Sequence, residues 1–188
     1  MSLLITGVLL WAVIHLMPAY APAFRQGLID SMGNKPYRGV FALAIFASLA
    51  LIVIGWRSTP EELVYVMPAG TRTVAFVLIC LSLIIIGAAH HPSSIKRVIR
   101  HPMLTGVFIW AVAHLLVNGT ERAMVLFGGL GLWALVEIVM INRRDGAYEK
   151  PPRPDFSEEL KGTFFSAGIL LLLLFLHPYF AGVTPFPR

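Results

Sequence analysis

Six long apolar runs set the medium in which this chain folds: Met1–Phe24, Gly39–Trp56, Thr73–Ala89, Pro102–Thr120, Ala123–Asn142 and Gly162–Pro187. Only the fifth is interrupted by a charge, that of Glu137. A helix needs about 20 residues, at about 1.5 Å each, to cross the hydrocarbon of a bilayer. In hydrocarbon every backbone N–H and C=O must find its partner within the protein, which leaves helices as the form for such runs. Of the 188 residues, 57% are hydrophobic and 13% charged, so little remains to clothe a soluble domain. The expected fold is all-α: a polytopic membrane bundle of six transmembrane helices near 3–20, 39–56, 73–90, 103–118, 123–141 and 163–178, forming one domain over 1–188. The lipid bilayer is the first partner this implies.

The first run lacks a basic leading segment and is too long for a cleaved signal peptide. Cys80, the only cysteine, falls mid-helix, which excludes an internal disulfide, a cysteine-based zinc site and covalent haem attachment through paired cysteines. The net charge of +5 follows topology and does not indicate nucleic-acid binding. Loops 1, 3 and 5 hold eleven of the fifteen basic residues: Arg25, Lys35, Arg38, Lys96, Arg97, Arg100, Arg143, Arg144, Lys150, Arg153 and Lys161. Arg57, Arg72, Arg122 and Arg188 fall on the other side. This asymmetry places loops 1, 3 and 5 in the cytoplasm, with both termini outward.

Between the runs, Gly27–Gly33 reads as a short interfacial helix, and Thr59-Pro60-Glu61-Glu62 as a helix start with acids in its first turn. Asn118-Gly119-Thr120 makes a tight turn. Pro151, Pro152 and Pro154 keep loop 5 extended, as a mobile linker. No glycine-rich phosphate loop, hydrolase triad or acidic metal cluster is visible.

One phrase occurs twice. Gly7-Val8-Leu9-Leu10-Trp11-Ala12-Val13-Ile14-His15-Leu16-Met17 matches Gly106-Val107-Phe108-Ile109-Trp110-Ala111-Val112-Ala113-His114-Leu115-Leu116 at seven of eleven positions. Gly, Trp and His fall at i, i+4 and i+8, on one helix face. With six spans the copies lie in antiparallel helices three apart, as in a 3+3 inverted repeat. His15 then lies about 4–5 Å to one side of the midplane and His114 equally far to the other.

An imidazole within hydrocarbon requires partners, so an intramembrane histidine signals a function by default. Paired imidazoles from facing helices suit the axial positions of haem b, with His15 and His114 as metal ligands. Gly7 and Gly106 give room for the porphyrin face or for close helix approach, and Trp11 and Trp110 pack at its edge. Arg25, Arg38, Arg97 and Arg100 are candidates to meet the propionates. The competing reading is that the two histidines only bond neighbouring helices. His177, at the depth of His114, offers a rival ligand pair. His101, in Arg100-His101-Pro102, reads as an interfacial cap or phosphate contact before a ligand, and His90 and His91 as solvated surface groups. Glu137 either pairs with Arg143 or Arg144 or handles protons.

The stretch Arg100-His101-Pro102-Met103-Leu104-x-Gly106-x-x-x-Trp110-Ala111-x-Ala113-His114-Leu115-Leu116-x-Asn118-Gly119 resembles the NnrU family of bacterial membrane proteins. The resemblance extends to His15 and Pro18, to Tyr37-Arg38-Gly39 and to His177…Gly182-Val183-x-Pro185, most of the chain. It implies a link with denitrification, the reduction of nitrite and nitric oxide. The same family includes the 15-cis-ζ-carotene isomerases, membrane proteins with haem b whose ligand change opens the iron to substrate. The resemblance carries their ligands to His15 and His114, and their Arg-His-Pro histidine to His101. This chain departs where those isomerases have a further histidine and it has Trp133, which bears on isomerase activity more than on haem. A fainter likeness to membrane methyltransferases lacks their acidic pair. The expected functions are isomerase-like chemistry on a long apolar polyene, non-catalytic haem or nitric-oxide binding, and a haem-free structural bundle.

Overall fold

The computed structural model describes residues 1–68 and 70–181. Helices dominate: α1 Ser2–Tyr20, α2 Pro22–Met32, α3 Asn34–Ser58, α4 Thr71–Ala88, α5 Pro102–Leu115, α6 Glu121–Asp145 and α7 Phe156–Ala181. A 3-10 turn covers Ser94–Arg97, and Met124–Gly128 within α6 is π-helical. Five helices (α1, α3, α4, α6 and α7) are long and apolar enough to cross a membrane. The chain is a multi-pass membrane protein of the all-α class. The fourth expected span is apolar but short: Pro102–Leu115 has 14 residues, about 21 Å of helix. Pro102 fixes its start, and its end is closed where the Asn118 amide donates to the His114 carbonyl at 2.9 Å.

The expected interfacial helix is present as α2. The expected helix start at Thr59–Glu62 is not. Thr59 is extended and ends α3, and the strand-like segment after it pairs with the turn before α6. Val64 and Tyr65 donate their amides to Gly119 O at 2.8 and 3.1 Å, Glu121 N donates to Glu62 O at 2.9 Å, and Arg122 takes the Glu61 carboxylate. The Glu61 carboxylate and the Glu62 carbonyl are used by partners across the loop, a tertiary demand that overrides local preference. Loop 5 is extended as expected but tethered: Arg97 Nη1 donates to Pro151 O, and Tyr148 Oη to Lys96 O.

The chain forms two compact units. The first joins residues 1–65 and 119–146, hence α1, α2, α3 and α6; the second joins 66–118 and 147–188, hence α4, α5 and α7. A local packing pattern recurs in both. In the first unit Gly7 of α1 meets α3 at Ile52, where a Cβ would lie 2.7 Å from the Ile52 amide nitrogen. In the second, Gly106 of α5 meets α4 at Ile86, where a Cβ would lie 2.5 Å from Ile86 Cγ1 and 2.8 Å from Ser82 O. The partner helices share a pattern: Ile45-x-x-Ser48-x-x-x-Ile52 in α3 and Ile79-x-x-Ser82-x-x-x-Ile86 in α4. Ser48 and Ser82 are fully buried, and each donates its hydroxyl to the carbonyl three residues back, at 2.7 and 2.8 Å. Small residues at a crossing let backbones approach, which drives helix pairing where the solvent is lipid.

Candidate functional site

Each histidine of the repeated phrase is locked in the same way. His15 Nδ1 lies 2.9 Å from Trp11 O, and His114 Nδ1 lies 2.8 Å from Trp110 O. A carbonyl only accepts, so Nδ1 carries the hydrogen in both rings and Nε2 holds the lone pair. The carbonyl one turn earlier already serves the helix, and its second lone pair takes the imidazole. The ring also lies against its tryptophan: centroids are 4.2 Å apart and stacked for Trp11–His15, and 4.5 Å apart and tilted for Trp110–His114. Trp and His at i, i+4 therefore fix one tautomer and one rotamer. A bond of this kind from the second nitrogen is what orients a metal-ligating histidine.

Around His15 the first unit adds an aromatic wall. Trp133 of α6 stands edge-on at 5.1 Å and Phe41 of α3 at 6.2 Å. The π segment of α6 precedes Trp133; such bulges change which face a helix presents downstream. Trp133 is only 7% exposed, and Trp11 Nε1 is buried with no hydrogen-bond partner. Glu137 follows Trp133 by one turn, its carboxyl near the Trp133 indole and within electrostatic reach of Arg144, while Arg144 itself donates to Asp145 at 2.7 Å and to Pro18 O at 3.4 Å. In the sequence Trp133 stands out only as a departure from a family pattern, because the four-residue Trp–His spacing of Trp11–His15 and Trp110–His114 has no counterpart there. Beside this wall lies an apolar cavity of about 270 Å³ among α1, α2 and α3, including Val13, Met17, Leu28, Tyr37 and Phe41. The Tyr37 hydroxyl is buried without a partner, and Arg25 lies 5.6 Å over the Tyr37 ring.

In the second unit His177 of α7 lies within electrostatic reach of His114, so these two rings are brought together. His101 is the N-cap residue of α5 and makes no side-chain cap, while its carbonyl accepts from Thr105 N at 2.9 Å. Of the arginines considered for propionates, Arg100 lies 5.3 Å over the Tyr148 ring, Arg97 is bound to Pro151, and Arg38 is exposed near the start of α3. Among the described residues no group of three or more His, Cys, Asp and Glu side chains is arranged to hold a metal ion, so any iron here rests on paired histidines. The motif at Gly182-Val183-x-Pro185 and the charge of Arg188 lie outside the described residues.

Fold and site together define a helical membrane protein that carries two tryptophan-locked histidines, one in each unit. The chain matches the family described as NnrU protein over residues 3–185, and it belongs to that family. No curated protein and no solved structure matches it.

Proposed function

We propose that this chain is an inner-membrane haem b protein of the NnrU family, with His15 and His114 as the residues that would hold the iron. The observation that carries the reading is the identical lock on the two rings: each spends Nδ1–H on a tryptophan carbonyl and keeps Nε2 as the donor atom. The donor set fits the group. Two neutral imidazoles with fixed tautomers suit b-type ligation, and the buried indole N–H of Trp11 has no acceptor within the chain. Arg38, exposed near the start of α3, is the arginine best disposed to meet a propionate. In this reading α5 completes a sixth crossing despite its length, and the basic loops 1, 3 and 5 hold both termini in the periplasm.

The resemblance to NnrU proteins supports a role in denitrification. Haem held by these histidines would supply a redox-active Lewis acid. The chain's own part is to hold the ligands, exclude water with the aromatic wall, and accept a hydrophobic small molecule such as a polyene; the apolar cavity beside Phe41 supports that last role. Trp133 favours a second reading, non-catalytic haem or nitric-oxide binding, because a bulky indole stands against His15 where the isomerases have a histidine. The proximity of His177 to His114 favours a rival ligand pair.

Absorption spectra of the purified protein, oxidised and reduced, test this directly. A Soret band with low-spin character is expected, and H15A and H114A should each lose it or convert it to a high-spin form. No Soret band after haem supplementation ends the haem reading. Full retention in H15A with loss in H177A reassigns the pair.

A further inference from the structure

We propose that the cavity at the end of α4 binds a phosphate-bearing anion at the membrane surface. It measures about 470 Å³, within the range of small-ligand sites, and lies wholly inside the second unit. Its walls include His90, His91, Lys96, Arg153 and Glu158, with the prolines at 151, 152 and 154. Two permanent cations thus face one acid. Neither Lys96 nor Arg153 forms an ion pair among the described residues, where the cations engaged are Arg122 and Arg144. The nearby acid that would quench them is diverted: Glu159 accepts from Ser94 N and Ser94 Oγ at 2.8 and 2.9 Å. His91 spends its Nδ1–H on Pro92 O at 2.8 Å, so the donors left to a ligand come from His90, Lys96 and Arg153.

The walls are fixed before any ligand arrives. Arg97 holds the Pro151 carbonyl, Tyr148 holds the Lys96 carbonyl, and three prolines stiffen the facing strand of chain. A site organised in advance loses less on binding. The position bears on the ligand class: the cavity lies where apolar α4 ends and α7 begins, and the ends of membrane spans meet the lipid headgroups. Lys and Arg gathered at the end of a span hold anionic headgroups, and the same donors accept free phosphate. Glu158 opposes either and keeps the affinity moderate.

Full-length protein in a neutral detergent tests this with two probes, phosphatidylglycerol by native mass spectrometry against phosphatidylcholine, and inorganic phosphate by calorimetry. K96Q/R153Q should lower binding of the true ligand about tenfold or more, from the loss of two charge-assisted contacts. E158Q should raise it several-fold. Selective retention of phosphatidylglycerol with this variant dependence assigns a lipid site. Phosphate binding with the same dependence, and no preference between the lipids, assigns a soluble anion. If K96Q/R153Q fails to fold, R153Q alone serves, since that side chain is exposed. The proposal is overturned if neither probe binds, if binding is the same with and without the two cations, or if E158Q leaves it unchanged or weaker.

Discussion

In both units a histidine gives Nδ1–H to the carbonyl of a tryptophan one turn earlier and lies against that indole, yet what closes the rest of the ring differs. His15 meets Trp133 and Phe41, with Glu137 one turn beyond Trp133. His114 has His177 within electrostatic reach. The lock is local, set by Trp and His four residues apart on one helix, so both copies have it. The surroundings are tertiary, supplied by α6 in one unit and α7 in the other, so they diverge. The same local lock in unlike walls gives one histidine an aromatic cage and the other a second imidazole nearby.

Removing the cage should have the largest effect. Trp133 is 7% exposed, and Trp→Ala at a packed site costs about 3–5 kcal/mol. Thermal unfolding in detergent should show W133A far less stable than W110A, because Trp110 is only half-buried. Equal losses would mean that the two rings are walled alike. W133H sharpens the same contrast: it sets a second imidazole near His15, as His177 lies near His114. With haem bound, W133H should alter the spin state while W133F leaves it as in the wild type.

The fold was legible in the sequence wherever hydrocarbon dictates it. The spans near 3–20, 39–56 and 73–90 appear as Ser2–Tyr20, Asn34–Ser58 and Thr71–Ala88, because the length of an apolar run and the charges at its ends need no tertiary information. Thr59–Glu62 resembles a helix start, but Glu61 answers to Arg122 and the Glu62 carbonyl to the Glu121 amide, both far along the chain. Glu137 lies within electrostatic reach of Arg144, whose guanidinium donates to the adjacent Asp145. The repeated phrase pointed to His15 and His114, whereas Trp133 stood outside any periodic pattern. The matching Ile-x-x-Ser-x-x-x-Ile of α3 and α4 is invisible until the glycines that pack on it are located, since such triplets are common in apolar helices.

A middle-sized effect tests whether the two helix pairs are one device used twice. Valine at Gly7 or Gly106 would place a branched side chain against the backbone of α3 or α4, and overpacking of this kind costs about 1–3 kcal/mol. G7V and G106V should lower the unfolding temperature by similar amounts. G27A, on the open face of α2, should change it little or raise it slightly. A G7V protein as stable as G27A would remove the first unit from the comparison.

The smallest effect is the most discriminating. Ser48 and Ser82 are both fully buried, and both hydroxyls bond to a carbonyl three residues back that the helix already uses. Alanine leaves no buried acceptor without a partner, so each loss is one supernumerary hydrogen bond, about 0.5–1 kcal/mol. S48A and S82A should therefore cost the same small amount and add in the double variant, since they lie in different units. An S82A penalty well above that of S48A would mean that Ser82 holds more than its own helix, and that the Gly106 crossing, where a Cβ would lie 2.8 Å from Ser82 O, depends on the hydroxyl in a way the Gly7 crossing does not.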